Sequence, residues 1–266
     1  MESVSSPAAE RTAPLSTKAK HSRPRTTLPQ HPEFPYAYFR GDQLPFSGIF
    51  SEHQLVWVCK SKGRKRRRRN REEYLSSTED SQQRLELFLR ARVDSLDAEP
   101  DDRLRVRYPK GSTYAVKRDH LLPVLEEEHN LVLVLPETDV YRRCCVVHTL
   151  PEESFLEIGC ESGLTCHRVQ QAKDNPAVPV VGVDKSSTSI DRARARFPEL
   201  QLHCWDFLAH EPPTDLTVLP DVVAVDINGN RELPAVLECL EAIWKLWQPR
   251  LLIVKSRSLY AELQQE

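Results

Sequence analysis

Glycine is scarce in this chain, with 8 among 266 residues, and there is a single methionine. Long hydrophobic runs are missing as well. None approaches the roughly 20 apolar residues that span a bilayer, so no membrane partner is expected. No apolar stretch follows the N-terminal Met1, which argues against a secretory leader. The seven cysteines are odd in number and follow no framework spacing, so they are expected as reduced thiols of an intracellular protein. No second ligand pair stands at metal-site spacing from Cys160, Cys166 and His167, and no metal is expected. The motif G-K-[ST] of a phosphate-gripping loop is absent. Charge of one sign is not in excess overall, since the formal net charge is −2. The basic residues are nevertheless concentrated in the first half.

Three regions emerge along the chain. Residues 1–48 carry many Pro, Ser and Thr without periodic apolar pattern, and read as a disordered tail that cannot bury enough surface to offset its ordering entropy. Their Ser and Arg content with few acids also admits an organelle transit peptide; nucleus and cytoplasm are the other compartments open. Residues 49–150 read as a small β-rich basic module. Strands are expected at Leu55–Val58, Arg103–Tyr108, Thr113–Arg118 and Leu131–Leu135, with a hairpin turn that uses Gly111. Between them, Leu85, Phe88, Leu89, Val93 and Leu96 recur at helical spacing, so a helix is expected over Ser77–Leu96. Residues 151–266 alternate short apolar runs with helical stretches, the pattern of a parallel sheet with helices on both faces.

Within the module, nine of the twelve residues from Lys60 to Arg71 are Lys or Arg. So dense a run is a solvated loop unless an anion neutralises it, and RNA or another polyanion is the expected partner. A nuclear localisation signal is the competing reading. No aromatic interleaving marks a base-stacking platform within that run.

The chemistry is concentrated in the last region. FLEIGCESGLTCHRV, Phe155 to Val169, reads as strand, glycine loop and helix start. Further strands are expected in VVGVDKS (Val180–Ser186), LQLHCWDF (Leu200–Phe207), PDVVAVDINGN (Pro220–Asn230) and RLLIVKSR (Arg250–Arg257). Helices are expected over Gly163–Lys173, Ser187–Arg196 and Arg231–Trp247. In such sheets ligands bind beyond the carboxyl ends of the strands. The first loop is E-x-G-x-x-x-G, and Glu157, two residues before Gly159, repels a diphosphate but suits a cationic ligand. S-adenosylmethionine, which has no phosphate and carries a sulfonium, fits that loop best.

Over roughly Ser154 to Ser256 the sequence resembles the class I S-adenosylmethionine-dependent methyltransferases. The resemblance implies an α/β, Rossmann-like domain in which Glu157, Gly159 and Gly163 line the methionine part of the cofactor. Asp184 would take the ribose hydroxyls, and one carboxylate can accept from a vicinal diol. Asp206 would sit near the adenine amino group with Phe207 or Trp205 against the ring. Asp226 would face methionine and substrate. Asp226 with Lys255 is similar to part of the Lys-Asp-Lys-Glu set of RNA ribose 2′-O-methyltransferases, where a lysine helps deprotonate the hydroxyl. The family loop has a third glycine where this chain has Glu161. The family sheet also continues with two strands after the fifth, and here Leu131–Leu135 or Cys144–Val147 is expected to cover that edge. The implied function is a methyltransferase acting on RNA. A non-catalytic adaptor of the same fold, or a methyltransferase of proteins or small molecules, is the alternative.

Overall fold

The computed structural model describes residues 34–43, 50–61, 85–99, 102–173, 175–227 and 233–265. Residues 1–33 of the expected tail, most of the basic run, residues 77–84 of the expected helix and Asn228, Gly229 and Asn230 lie outside them. The described residues form two sheets. The large one contains β1 (Ala37–Arg40), β7 (Leu131–Leu135), β8 (Phe155–Ile158), β9 (Val180–Asp184), β10 (Gln201–Cys204), β11 (Val222–Val225) and β12 (Leu251–Lys255). Its strand order is β1-β7-β12-β11-β8-β9-β10, and every neighbouring pair is parallel.

Parallel strands need crossovers, and helices supply them. On one face lie α1 (Thr138–His148), α2 (Leu164–Gln171) and α3 (Ser187–Arg196), with the small sheet beside them. On the other lie α4 (Leu233–Trp247) and α5 (Arg257–Glu262). All five residues of Leu131–Leu135 are buried, as are all four of Val222–Val225, the mark of strands covered on both faces. Ser186 caps α3 by accepting from the Ser189 N–H at 3.2 Å, and Ser256 caps α5 in the same way.

Two expectations about the sheet edge are settled by this order. Leu131–Leu135 covers β12, but Cys144–Val147 is helical, inside α1. Outside Leu131–Leu135 stands Ala37–Arg40, from the segment expected to be disordered. The cause is local: Tyr36, Tyr38 and Phe39 are 2%, 5% and 3% exposed, and Phe34 sits 5.1 Å from Tyr36 and 5.9 Å from Trp244. Four aromatics in six residues bury enough surface to hold a short edge strand.

The second sheet is antiparallel, in the order β5-β4-β3-β2-β6, and comprises β2 (Leu55–Ser61), β3 (Leu85–Glu99), β4 (Arg103–Arg107), β5 (Thr113–Lys117) and β6 (Leu121–Pro123). Its core is Val56, Val58, Ala91, Val93, Leu104, Val106, Val116 and Leu121. The hairpin turn uses Gly111 as expected, at φ +87°. The helix expected over Ser77–Leu96 is not formed from Leu85 onward, where the chain is strand. Register shifts between Val93 and Ser95, and between Ser95 and Glu99, break the two-residue alternation. A further shift in the pairing with β2, where Val58 pairs Leu89 and Cys59 pairs Leu87, leaves residue 88 extra, so the apolar spacing along β3 imitates a helical period. The two sheets are joined by Trp57, whose indole donates to the Val147 carbonyl at 3.1 Å and lies 4.9 Å from the Arg90 guanidinium. Arg90 in turn donates to the Thr149 carbonyl at 2.6 Å. Among the described residues no helix is long and apolar enough to cross a membrane.

Candidate functional site

The strand order places β8 between β9 and β11. From β8 the chain steps outward through β9 and β10, and then returns to β11 and β12 on the other side. A crevice opens at such a reversal, beyond the carboxyl ends of the strands. The expected site residues Gly159, Gly163, Asp184, Asp206, Asp226 and Lys255 all lie at those ends.

The loop after β8 is held by backbone. Gly159 N–H and Cys160 N–H both donate to the Val183 carbonyl, at 2.8 and 3.0 Å. Gly159 has φ +83°, and a Cβ on it would stand 2.1 Å from the Asp226 carbonyl oxygen. This glycine is therefore required where the β8 loop crosses the end of β11. Gly163, also left-handed at φ +70°, starts α2. Glu161 has φ +45°, so the chain keeps a left-handed backbone at the point where the family has glycine. Its side chain is exposed, and its N–H donates to Asp184 Oδ2 at 3.0 Å.

Asp184 clamps two turns. Besides the Glu161 N–H, it accepts the Ser186 N–H at Oδ1 at 2.8 Å. Each oxygen keeps a lone pair directed elsewhere. Trp205 N–H donates to the Asp184 carbonyl at 2.9 Å, which brings half-buried Asp206 to the same edge.

Asp226 and Lys255 end adjacent strands, and the structure brings them together. Lys255 Nζ donates to both carboxylate oxygens, at 2.9 and 2.8 Å, and the side chains are 16% and 17% exposed. The Asp226 N–H donates to the Ile158 carbonyl at 2.9 Å, which ties the pair to the start of the glycine loop.

Two of the expected site residues, Glu157 and Phe207, are buried. Glu157 does not face the loop opening. It is 1% exposed and lies beneath α2, where Tyr141 Oη donates to Oε1 at 3.0 Å and Cys166 Sγ to Oε2 at 3.3 Å, with Thr165 as a further donor. Burial pushes its carboxyl up to about 7, against the three hydrogen bonds that favour the charged form, and Asp226 adds to the rise. Phe207, expected against an adenine ring, packs into the core. Its ring stacks on Trp247 at 5.8 Å and meets Trp205 edge-on at 5.1 Å. Sequence reasoning missed Tyr141 and Thr165 as partners of Glu157. Thr165 was in view at the start of α2, but nothing in the sequence ties α1 to β8.

Five strands in the spatial order 3-2-1-4-5, counted from β8, with a glycine loop after the first, define the sheet. The fold is Rossmann-like. No family model matches the chain, and no curated protein matches it. Among solved structures it is similar to CalS10, an amino pentose methyltransferase from Micromonospora echinaspora, at 20% identity over 44% of this chain and 47% of that one, with a TM-score of 0.33. The plantazolicin methyltransferase BpumL is 22% identical over 36% of this chain and 35% of its own, with a TM-score of 0.29. A TehB-like S-adenosylmethionine-dependent methyltransferase from Corynebacterium glutamicum is 16% identical over 47% and 70%, with a TM-score of 0.36. The chain thus spans less than half of CalS10 and of BpumL. Strand order, and not this partial overlap, identifies the sheet.

Proposed function

We propose that this protein is an S-adenosylmethionine-dependent methyltransferase acting on RNA. The observation that carries the reading is the Asp226–Lys255 pair, set at the ends of two adjacent strands and tied by backbone to a glycine loop that Asp184 clamps.

The donor set suits this cofactor. Strand-end carboxylates repel a pyrophosphate but accept from an ammonium and from ribose hydroxyls. Asp184 would hold the ribose, Asp206 the adenine edge, and the loop from Gly159 to Gly163 the methionine moiety. Bound there, S-adenosylmethionine supplies an electrophilic methyl group. The chain's own part is to orient the acceptor and take its proton. Lys255 holds the Asp226 carboxylate in place, and an Asp226 oxygen receives the proton from the attacking hydroxyl or amine. The RNA partner is supported by the basic run Lys60–Arg71, whose charge density calls for a polyanion.

A specific observation favours a second reading. Glu157 and Phe207 are committed to packing, as expected of a methyltransferase fold retained as an adaptor scaffold. Calorimetry with S-adenosylmethionine and S-adenosylhomocysteine separates the two. Micromolar binding that weakens in Asp184→Asn, followed by transfer of labelled methyl to RNA, supports the enzyme. No heat and no thermal stabilisation at millimolar ligand removes it, and the adaptor reading then stands. Binding and transfer to protein or sugar but not to RNA would remove the substrate class alone.

A further inference from the structure

The glycine loop after β8 rests on a buried polar cluster that takes no part in the methyl-transfer chemistry described above. β8 leads into the loop and α2 leads out of it, so a side chain that joins β8 to α2 fixes the span of the loop. Glu157 is that side chain. Its Oε2 accepts from Cys166 Sγ at 3.3 Å and Thr165 is a further donor, both residues standing in the first turn of α2. Its Oε1 accepts from Tyr141 Oη at 3.0 Å, which makes α1 a third anchor. The seat is tight. A Cβ on Gly182 of β9 would stand 2.9 Å from Cys166 Sγ and 3.0 Å from the Cys160 Cβ, so the glycine lets the first turn of α2 lie low over the sheet.

A carboxylate suits this seat better than a carboxylic acid. The hydroxyls of Tyr141 and Thr165 and the Cys166 thiol all donate to it, whereas protonation turns one of its oxygens into a donor and removes an acceptor. Burial works the other way, since it disfavours the charged form, and the Asp226 carboxylate adds to that cost. The opposing effects meet near neutral pH, with the carboxyl pushed up to about 7. Tyr141 and Cys145 on α1, Cys160 in the loop and Cys166 on α2 also face it. Burial pushes all four above their ordinary values, so they stay protonated through that range. Asp226 on β11 is held by Lys255 on β12, and β9 contributes Gly182, which does not titrate.

A positively charged ligand on the loop shifts this balance. Its attraction acts on the ionised carboxyl alone and is strong where water is excluded. By linkage, a ligand that the ionised form binds better also draws the proton off. We propose that Tyr141 and Glu157 are a positioning pair for the cofactor. The Tyr141 hydroxyl holds the Glu157 carboxylate, the carboxylate holds the first turn of α2, and the loop so held takes its cationic ligand while the Glu157 proton leaves to solvent. The inference rests on the S-adenosylmethionine part of the reading above and is independent of the RNA part. Glu157 thus serves the cofactor from beneath the loop, without touching it.

The test is calorimetric titration of the full chain with S-adenosylmethionine from pH 6 to 9, beside Tyr141→Phe and Glu157→Gln. The ligand's own ammonium titrates at about 8. Each affinity is therefore read as a ratio to that of Glu157→Gln at the same pH. For wild type the ratio is expected to rise about tenfold between pH 6 and pH 8, as the ionised fraction climbs from about a tenth to about nine-tenths. Tyr141→Phe keeps the buried ring and removes one donor to the carboxylate, which moves the midpoint up to about 8. Its affinity is expected to fall about fivefold below wild type at pH 7 and to match wild type at pH 9. Thermal midpoints at pH 7 check that both variants are folded. A ratio that stays flat across the pH range overturns the pair and leaves the cofactor reading intact. A loss in Tyr141→Phe that is equal at pH 7 and pH 9 also overturns it, because a contact that only packs has no proton dependence. Wild-type protein that gives no heat at any pH removes the cofactor reading and the pair together.

Discussion

Glu157→Gln should change how the stability of this protein depends on pH. The carboxyl is fully buried and is pushed up to about 7 from an ordinary value of 4.5, chiefly by desolvation. Between those two values the folded chain binds more protons at this position than the unfolded chain does. Stability from this group is therefore fully present below pH 4.5 and is lost as pH rises through 7. That rise corresponds to about 3 kcal/mol withdrawn by pH 8.5. A glutamine does not titrate, so the variant escapes that loss. It has a single acceptor oxygen for three donors, Tyr141, Thr165 and Cys166, and an orphaned buried donor costs about 1 kcal/mol. The variant should be the less stable by about 1 kcal/mol at pH 4.5 and the more stable by about 2 kcal/mol at pH 8.5. Urea unfolding across that range, with equal m-values, reads the crossover. Parallel pH profiles for variant and wild type would falsify the reasoning, because they mean Glu157 titrates alike in both states.

Gly159→Ala places a methyl 2.1 Å from the Asp226 carbonyl on a backbone at φ +83°, so a loss above about 4 kcal/mol or a failure to fold is expected by chemical denaturation. On the proposed function, Asp226→Asn and Lys255→Met should each abolish methyl transfer; each should also destabilise by about 1–3 kcal/mol, since each strands a partly buried partner. The double variant should be more stable than the worse of the two singles, and additive losses in a double-mutant cycle would contradict the pairing. Trp57→Ala removes the indole that bonds Val147 and packs under Arg90, and should cost about 3–5 kcal/mol in urea unfolding. Little change there would mean that the two sheets are held together by something other than this contact.

The local signals in the second half of the chain carried over well because they are short-range. Ser187–Arg196 is helical over the very residues expected, and Ser186 caps it from within four residues. β8, β9, β11 and β12 sit inside the expected apolar runs, since a strand covered on both faces must be apolar throughout. The strand-end positions of Asp184, Asp226 and Lys255 were legible for the same reason: a polar residue that interrupts such a run marks its end. β3 was misread because irregularities in its pairing with β2 and with β4 scramble the two-residue period, and pairing partners are not local. Glu157 was misplaced because an acid at a strand end reads as ligand-facing, whereas its surroundings come from Tyr141, sixteen residues earlier on α1.

What the sequence determined by itself is the parallel α/β character of residues 151–266, the glycine loop, and the acids that surround it. Each depends on burial pattern or backbone conformation within a few residues. What only the tertiary structure decided is which segments complete the sheet and how Glu157 is charged. Leu131–Leu135 and Ala37–Arg40 extend the sheet beyond β12 although they precede every other strand in it. Contacts of that kind join residues tens to hundreds apart in the chain. Only packing of the whole fold, which buries both faces of the large sheet at once, selects them.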